Sequence, residues 1–362
     1  MVLDGLAAVA ILWLSNVTRG IVMDRRALVH QGTRVLVQPE DGLGPVVDMI
    51  DAARHGILVK MFTFTSPALV AAVVRAHGRG VQVEVMLNPA RSSGSRANDE
   101  TFARLTEAGI VARWSNPCFA VTHEKSMVVD DRVALIATFN FCDKYFSKTR
   151  DYGLVVEDPP VVREVVAGFR ADWDRAPFPE PSGAEASPSP LLWSNHNARL
   201  VMARFIDTAQ HTLRVQHPKF VDAVILDRLL EARARGVDVR VLCGGRHGIS
   251  DYDLLDTFSS LRILRRADIR VHKQAKLTLH AKLILADRER AVVGSMNIDR
   301  SAFDLRRELG AVVASPAAVS RLRQVFHDDW EESHRYHPPD PLDSAPPPPE
   351  DTHPHDPELA HE

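Results

Sequence analysis

The chain has 362 residues, of which 45% are hydrophobic and 25% charged, so it has the composition of a soluble globular protein and the length of two ordinary domains. Its net charge is −3. Residues 338–362 are acidic and contain no Lys or Arg, which leaves the rest of the chain mildly basic, at about +4. The three cysteines, Cys118, Cys142 and Cys243, exclude a disulfide framework, and we expect reduced thiols.

The N-terminal residues 1–30 form an extension whose apolar part is residues 5–14, GLAAVAILWL. This run is too short to cross a bilayer alone. Asp4 stands where a signal peptide carries basic residues, and no clear cleavage site follows. Two interpretations stay open. The run is either a membrane anchor or unusual signal, or it lies outside the protein because translation starts at Met23.

The sequence contains an internal repeat. Residues 55–64 align with 211–220 and residues 75–87 with 231–243, both at an offset of 156, and residues 121–140 align with 278–297 at an offset of 157. So constant an offset indicates duplication of a whole domain. We place the two domains at residues 31–176 and 191–336. A proline-rich linker over 177–190 joins them, and a disordered acidic tail over 337–362 follows.

The elements of each repeat alternate between helix and strand. In the first repeat we predict helices over 44–54, from Ser66-Pro67 to Gly80, over 100–108 and over 159–173, and strands over 57–64, 81–87, 111–114 and 152–156. The second has the same order, with helices over 222–235 and 316–330 and strands over 237–243 and 311–314. The prediction is an α/β fold of two duplicated domains, each a mixed sheet flanked by helices.

Each repeat also contains the motif His-x-Lys-x4-Asp, followed by an Asn and an acid. The first set is His123, Lys125, Asp130, Asn140 and Asp151, and the second is His280, Lys282, Asp287, Asn297 and Glu308. Random placement predicts about 0.03 such motifs in a chain of this composition, so two in register do not arise by chance. Both motif cations are Lys although the chain has 8 Lys and 36 Arg, which indicates a need for a compact ammonium.

The spacing predicts a shared location for these side chains. Positions i and i+2 of a strand point to one face, so His123 projects with Lys125, and His280 with Lys282. Two acidic turns, after 129 and 286, then lead into second apolar strands over 133–136 and 291–293, which return the Asn to the same rim. A hairpin in each repeat thus brings a nucleophile, a cation and an amide donor together.

These residues resemble the signature of the phospholipase D superfamily, HxKx4Dx6GSxN, and the resemblance covers about residues 35–176 and 191–334. It implies two halves packed about a pseudo-two-fold axis with both histidines in one pocket. One histidine, by family precedent His123, attacks phosphorus to form a phosphohistidine. The other, His280, protonates the leaving alkoxide, and water or an alcohol resolves the intermediate. Asp151 and Glu308 match the acids that orient the histidines, and Thr138 and Ser295 match a hydroxyl near the phosphate.

The chemistry of a phosphodiester supports these roles. Its oxygens are anionic, so Lys125, Lys282, Asn140 and Asn297 are the donors expected around them. Asp130 and Asp287 are expected to brace the turns. The first motif departs from the family pattern in Ala137-Thr138 and in Asp151, which leaves an asymmetric site or slower turnover open. No His, Cys, Asp or Glu cluster has metal-ligand spacing, so we expect neither a metal nor another cofactor.

The substrate stays open at this point. A phospholipid enzyme, hydrolytic or transferring phosphatidyl groups as cardiolipin synthases do, would act at a membrane surface, and residues 5–14 with Phe62, Phe64 and Phe220 are candidates for its apolar contacts. A metal-independent nuclease is the alternative, with nucleic acid as partner, although a body near +4 is weakly basic for that role. An inactive binding module is disfavoured because both motifs are intact. No protein partner is implied. Lys60 and His217 either line the pocket or lie on the surface.

Overall fold

The computed structural model describes residues 32–340 apart from residues 92, 179–188, 247–248 and 250, and also residue 342. The N-terminal apolar run, most of the predicted linker and most of the predicted tail lie outside these residues. Within the described part of the chain, no helix is both long and apolar enough to cross a membrane.

The first repeat forms a mixed sheet in the order β1-β7-β6-β5-β2-β3-β4. Strands β2, β3 and β4 are mutually parallel, and the other pairs of this path are antiparallel. The strands are β1 Thr33–Gln38, β2 Gly56–Met61, β3 Gln82–Leu87, β4 Val111–Trp114, β5 Lys125–Val129, β6 Val133–Ala137 and β7 Thr149–Val156. The helices are α1 Gly44–Asp51, α2 Pro67–Gly78, α3 Asp99–Glu107 and α4 Pro159–Asp174, with a 3-10 turn at Asp143–Phe146.

The second repeat forms a sheet with the same core order, β16-β11-β10-β9-β13-β14-β15-β8. Its strands are β8 Leu191–Trp193, β9 Thr212–Gln216, β10 Asp238–Cys243, β11 Arg270–Lys273, β13 Leu283–Ala286, β14 Arg290–Gly294, β15 Leu309–Val313 and β16 His334–Arg335. Strand β12, Thr278–Leu279, belongs to the first sheet instead, where it pairs with β7. The helices are α5 Ala198–Asp207, α6 Ala223–Ala234, α7 Asp251–Arg266, α8 Arg300–Asp304 and α9 Pro316–Glu332. The predicted α/β fold with two duplicated sheets is therefore confirmed.

The two halves share one apolar core. Alternate residues of each strand point to opposite faces of its sheet. In β2, Ile57 and Val59 belong to the cluster under α1–α3, whereas Leu58 belongs to a cluster that also contains Leu283 and Leu285 of β13 in the other half. Helices α4 and α9 also contribute apolar residues to this shared cluster, so they pack between the two sheets. The halves are held together by burial of apolar surface and not by the linker alone.

Candidate active site

Backbone hydrogen bonds join each motif to the opposite half. His123 N donates to Arg307 O at 2.9 Å, and His280 N donates to Arg150 O at 3.2 Å. The two receiving residues directly precede Glu308 and Asp151. We expected both histidines inside strands, but β5 begins at Lys125 and β13 at Leu283. The histidines lie just before these strands because their backbone N–H groups are used in the contact between the halves.

Each of the two predicted acids contacts a histidine of the opposite half. His123 Nδ1 lies 2.8 Å from Oε1 of Glu308, and His280 Nδ1 lies 2.7 Å from Oδ1 of Asp151. All four side chains are buried. Each acid thus contacts the histidine of the other repeat, which the equal spacing within each repeat did not reveal. A carboxylate at Nδ1 holds the N–H there and leaves Nε2 as the ring atom directed at a substrate.

The two predicted phosphate-site hydroxyls contact the acids. Thr138 Oγ1 donates to Asp151 Oδ1 at 2.6 Å, and Ser295 Oγ donates to Glu308 Oε2 at 2.5 Å. A hydroxyl has one proton to donate, so in this arrangement each proton is used by a carboxylate. The expected contact of these hydroxyls with phosphate stays a prediction.

A third hydroxyl was missed by the sequence reasoning. Thr149 Oγ1 donates to Oδ2 of Asp151 at 2.6 Å. Both residues lie in β7, two positions apart, and therefore on one face of the strand. This i, i+2 spacing before the acid is a signal that could have found Thr149.

The motif lysines are buried beside the histidines. Lys125 Nζ donates to His123 O at 2.8 Å, and Lys282 Nζ donates to His280 O at 2.7 Å. Lys282 Nζ is also 2.8 Å from His280 Nε2. The ring of Phe62 lies 5.0 Å from Lys125 Nζ and meets His123 edge-on, with ring centroids 4.7 Å apart. Of the three phenylalanines considered as apolar contacts, Phe62 adjoins the site, whereas Phe64 and Phe220 belong to the cores of their domains.

The two asparagines lie beside the strand ends that carry the site. Asn140 Oδ1 accepts a hydrogen bond from Thr63 N at 3.2 Å. Asn297 Oδ1 is buried and has no hydrogen-bond partner among the described residues. The pseudo-symmetric halves therefore differ at this position, in addition to the Asp151 and Glu308 difference already visible in the sequence.

The motif aspartates lie away from the histidines. Asp130 and Asp287 have positive φ angles and follow the far ends of β5 and β13. Asp130 accepts from the backbone N–H groups of residues 54–56, and Asp287 from those of residues 210–212. Burial alone would raise the pKa of each carboxyl, but these three donors lower it. Both residues bond the backbone at the turns and take no place around the histidine rings.

Burial and nearby cations determine the protonation state of His123. Desolvation, followed by Lys125 and Arg306, lowers the pKa of His123 well below its usual value. Burial raises the pKa of Glu308, while the charges of Lys125 and Arg306 oppose that rise and favour the carboxylate that holds the Nδ1–H of His123. The imidazole of His123 is therefore neutral near pH 7. Its Nε2 is buried and has no hydrogen-bond partner in the described part of the chain. A neutral imidazole with a free lone pair is a nucleophile.

Two equivalent ion pairs lock the halves around the site. Arg307 Nε donates to Asp172 at 2.8 Å, and Arg150 donates from Nε and Nη2 to Asp329 at 2.8 and 2.9 Å. Both arginines are the residues whose carbonyls accept from the motif histidines. Lys60, which we expected at the pocket or the surface, is instead fully buried and bonds Asp172 at 2.6 Å. His217 is also buried, so a surface location is wrong for both residues.

Metal binding finds no support in the side-chain arrangement. Among the residues that the structure describes, no group of three or more His, Cys, Asp or Glu side chains could hold a metal ion. The positive charges at the histidine site are those of lysines and arginines, and its two carboxylates, Asp151 and Glu308, bond the histidines.

Comparison with known proteins gives the family. The family described as "Cardiolipin synthase, PLD-like domain" matches residues 46–173 and again residues 202–330. Cardiolipin synthase A of Pseudomonas putida (strain GB-1) is 26% identical over 342 residues, which cover 84% of this chain and 70% of that protein. Cardiolipin synthase 1 of Bacillus anthracis is 24% identical over 346 residues, covering 83% and 67%.

A solved structure supports the fold. Phosphatidylserine synthase of Haemophilus influenzae Rd KW20 superposes with a TM-score of 0.68, covering 86% of this chain and 88% of that one at 14% identity. Two duplicated sheets, paired His-x-Lys motifs and two matches to one family define a protein of the phospholipase D superfamily. Within it, the chain belongs to the family of cardiolipin synthase PLD-like domains.

Proposed function

We propose that this protein hydrolyses or transfers the phosphatidyl group of phospholipids through a phosphohistidine on His123. The observation that carries the proposal is the state of His123. Its Nδ1 is held by Glu308, its pKa is lowered by burial, and its Nε2 has no partner among the residues described. Such a nitrogen is prepared for attack on phosphorus without prior loss of a proton.

The first step forms the phosphoenzyme. Nε2 of His123 bonds to phosphorus, the bond from phosphorus to the leaving alcohol oxygen breaks, and His280 gives that oxygen a proton. Asp151 at Nδ1 of His280 stabilises the protonated ring before transfer. The ammonium groups of Lys125 and Lys282 and the amides of Asn140 and Asn297 offset the negative charge that builds on the phosphoryl oxygens.

The second step breaks down the phosphoenzyme. The oxygen of water or of an alcohol bonds to phosphorus, its proton passes to His280, and the bond between phosphorus and His123 breaks. Thr138, Thr149 and Ser295 act by holding the two acids that orient the histidines. Removing one of these three hydroxyls should slow both steps, because each step uses a histidine that one of the two acids orients.

Phospholipid is the favoured substrate for two reasons. The relatives with matching sequence across both repeats are named cardiolipin synthases, and a protein with the same fold is named phosphatidylserine synthase. The body of the chain carries only a small positive charge, whereas binding to a polyanion rests on many phosphate contacts. The ring of Phe62 beside His123 and Lys125 gives the site one apolar wall.

The test compares two substrates in parallel. Purified full-length protein is incubated with vesicles of radiolabelled phosphatidylglycerol and with labelled single-stranded DNA, and lipid products and DNA fragments are separated. We expect phosphatidic acid or cardiolipin from the vesicles and intact DNA. His123→Ala and His280→Ala should each abolish the lipid products. DNA cleavage without any lipid product, inhibited by salt, would replace this proposal with the nuclease.

A further inference from the structure

His217 differs from its counterpart in the first half. The register of β13 and β9 pairs Leu283 with Gln216, and the next position sets His217 opposite Lys282. In the first half the equivalent register sets Met61 opposite Lys125. Directly opposed residues on neighbouring strands share one face and lie in contact distance. The second half therefore has an imidazole beside the motif lysine where the first half has a thioether.

The imidazole of His217 has an unsatisfied ring nitrogen. The residue is 1% exposed, and its Nδ1 has no hydrogen-bond partner within the described residues. Burial, followed by the charge of Lys282, lowers the pKa of His217 to about 3, so the ring is uncharged at neutral pH. An unpaired buried polar atom is costly and is normally satisfied by a ligand, water or another side chain.

The side-chain amide of Asn297 also has a buried atom without a hydrogen-bond partner among the described residues. Asn297 is 3% exposed, and its Oδ1 is unpartnered in the described part of the chain, whereas Oδ1 of Asn140 is bonded to Thr63 N. Ile298, next to Asn297, forms a bridge with Phe220, so the segment 217–220 adjoins Asn297. The second half thus offers two buried, uncharged atoms without partners among the described residues, one of them on the residue opposite Lys282.

The chemistry of these atoms selects a ligand group. An amide oxygen only accepts hydrogen bonds, so it cannot bind a phosphate oxygen, which is itself an acceptor. A neutral imidazole adds no charge to balance a phosphate. A hydroxyl group both donates and accepts, and it is uncharged, so it matches both atoms. In a phosphatidyl transfer, the group with this chemistry is the hydroxyl of the alcohol that attacks the phosphoenzyme.

We propose that His217, together with the amide oxygen of Asn297, binds a hydroxyl of the acceptor alcohol, so that the second half of the pocket is the acceptor side. The inference rests on the proposed function. The acceptor oxygen bonds to phosphorus, its proton passes to Nε2 of His280, and the bond from phosphorus to Nε2 of His123 breaks. His217 contacts the acceptor alcohol. This contact favours attack by the alcohol over attack by water on the phosphoenzyme.

The experiment measures the formation of the phosphoenzyme separately from the choice between alcohol and water as the acceptor. The full-length protein is given a soluble short-chain phosphatidyl-p-nitrophenol, whose release of nitrophenol reports formation of the phosphoenzyme. Glycerol is added at increasing concentration, and the ratio of the phosphatidylglycerol product to phosphatidic acid reports acceptor choice. The variants are His217→Met, which copies Met61 of the first half, and His217→Gln, which keeps a hydrogen-bonding group. His272→Met is the control, because His272 lies on β11 and stacks on Trp330.

We expect His217→Met to release nitrophenol at nearly the wild-type rate while its ratio of transfer to hydrolysis falls roughly 3- to 10-fold, the effect of one hydrogen bond. His217→Gln should recover part of the ratio, and His272→Met should leave it unchanged. An unchanged ratio in His217→Met, or a ratio that falls equally in the control, would overturn the inference. A wild-type protein that releases no nitrophenol would overturn the proposed function, and this inference with it.

Folding of the variant is checked separately. Replacing a buried, unpaired polar group by an apolar group of similar size is neutral or stabilising. The thermal midpoint of His217→Met should therefore equal or exceed that of the wild type at neutral pH. A large fall would indicate that Nδ1 has an internal structural partner, which contradicts a ligand-binding role.

Discussion

The Nδ1 atom of His123 lies 2.8 Å from Oε1 of Glu308, although the two residues are 185 positions apart and belong to different repeats. The equivalent bond joins His280 to Asp151 in the opposite direction. Neither repeat contains a complete pair of histidine and carboxylate. The site exists only where the halves meet, so the contacts between the halves should affect catalysis as well as stability.

Replacing Glu308 by Gln should lower turnover of a soluble phosphodiester by roughly 100-fold or more, because the amide no longer fixes the N–H at Nδ1 of His123. The measurement is the initial rate of nitrophenol release from phosphatidyl-p-nitrophenol. Glu332→Gln is the matched control, since Glu332 lies at the exposed end of α9 and pairs with Lys276. A loss of less than threefold in Glu308→Gln would mean that this bond does not set the state of His123.

Replacing Asp329 by Asn should destabilise the fold by about 1.5–3 kcal/mol, because it removes the buried carboxylate partner of Arg150 and leaves only the half-exposed Glu40 to pair with the guanidinium. Asp329 also accepts from Gln216 at 2.7 Å, so one substitution disturbs a contact between the halves and a second contact within the second half. The free energy of unfolding is measured in urea. Asp51→Asn removes the exposed pair with Arg75 and should cost no more than about 1 kcal/mol. Equal costs for the two variants would contradict the role of the buried pair.

The free energy of unfolding should fall as the pH is lowered, and part of this fall should come from His217. Its pKa is about 3 in the folded protein against 6.5 for the free side chain, so it takes up a proton on unfolding. Its contribution to stability is complete above pH 6.5 and is lost as the pH falls toward 3, with a slope of up to about 1.4 kcal/mol per pH unit. Between pH 7 and pH 5 the wild type should lose about 2 kcal/mol more than His217→Met.

The control for this pH dependence is His327→Met, because His327 is exposed on α9. Urea unfolding of the wild type and both variants is compared at the two pH values. If His217→Met loses as much stability as the wild type on going to pH 5, then His217 is not a buried, uncharged group.

Activity on the soluble donor should persist in EDTA. The positive charge around the histidines comes from Lys125, Lys282 and Arg306, and no cluster of metal ligands occurs among the residues placed by the structure. A soluble substrate removes any effect of divalent ions on a lipid surface. Complete loss of nitrophenol release in EDTA, restored by adding a divalent ion, would contradict the mechanism.

Local features of the fold and of the site could be predicted from the sequence. The strand Val111–Trp114 has the predicted bounds, and the helix predicted to start at Pro67 does start there. Such features depend on residues close together in the chain, where strand periodicity and capping preferences act directly.

Features that depend on contacts between distant parts of the chain could not be predicted. Spacing indicated which residues share a strand face, but not that Glu308 meets His123 or that His280 N bonds Arg150 O. Lys60 has no local signal for its ion pair because its partner, Asp172, is 112 positions away. The contacts of Thr138 and Ser295 with the acids likewise depend on adjacent strands, and a motif names only their positions.

The central claim is that His123 is the residue that becomes covalently bonded to phosphorus, and trapping the phosphoenzyme tests it most directly. His280→Ala protein is mixed with phosphatidyl-p-nitrophenol labelled on phosphorus, whose leaving group needs no proton, then quenched in base and analysed by mass spectrometry. We predict labelled phosphohistidine at position 123, and none in His123→Ala. Label on His280 in the His123→Ala protein, or no covalent adduct in any active variant, would contradict the account.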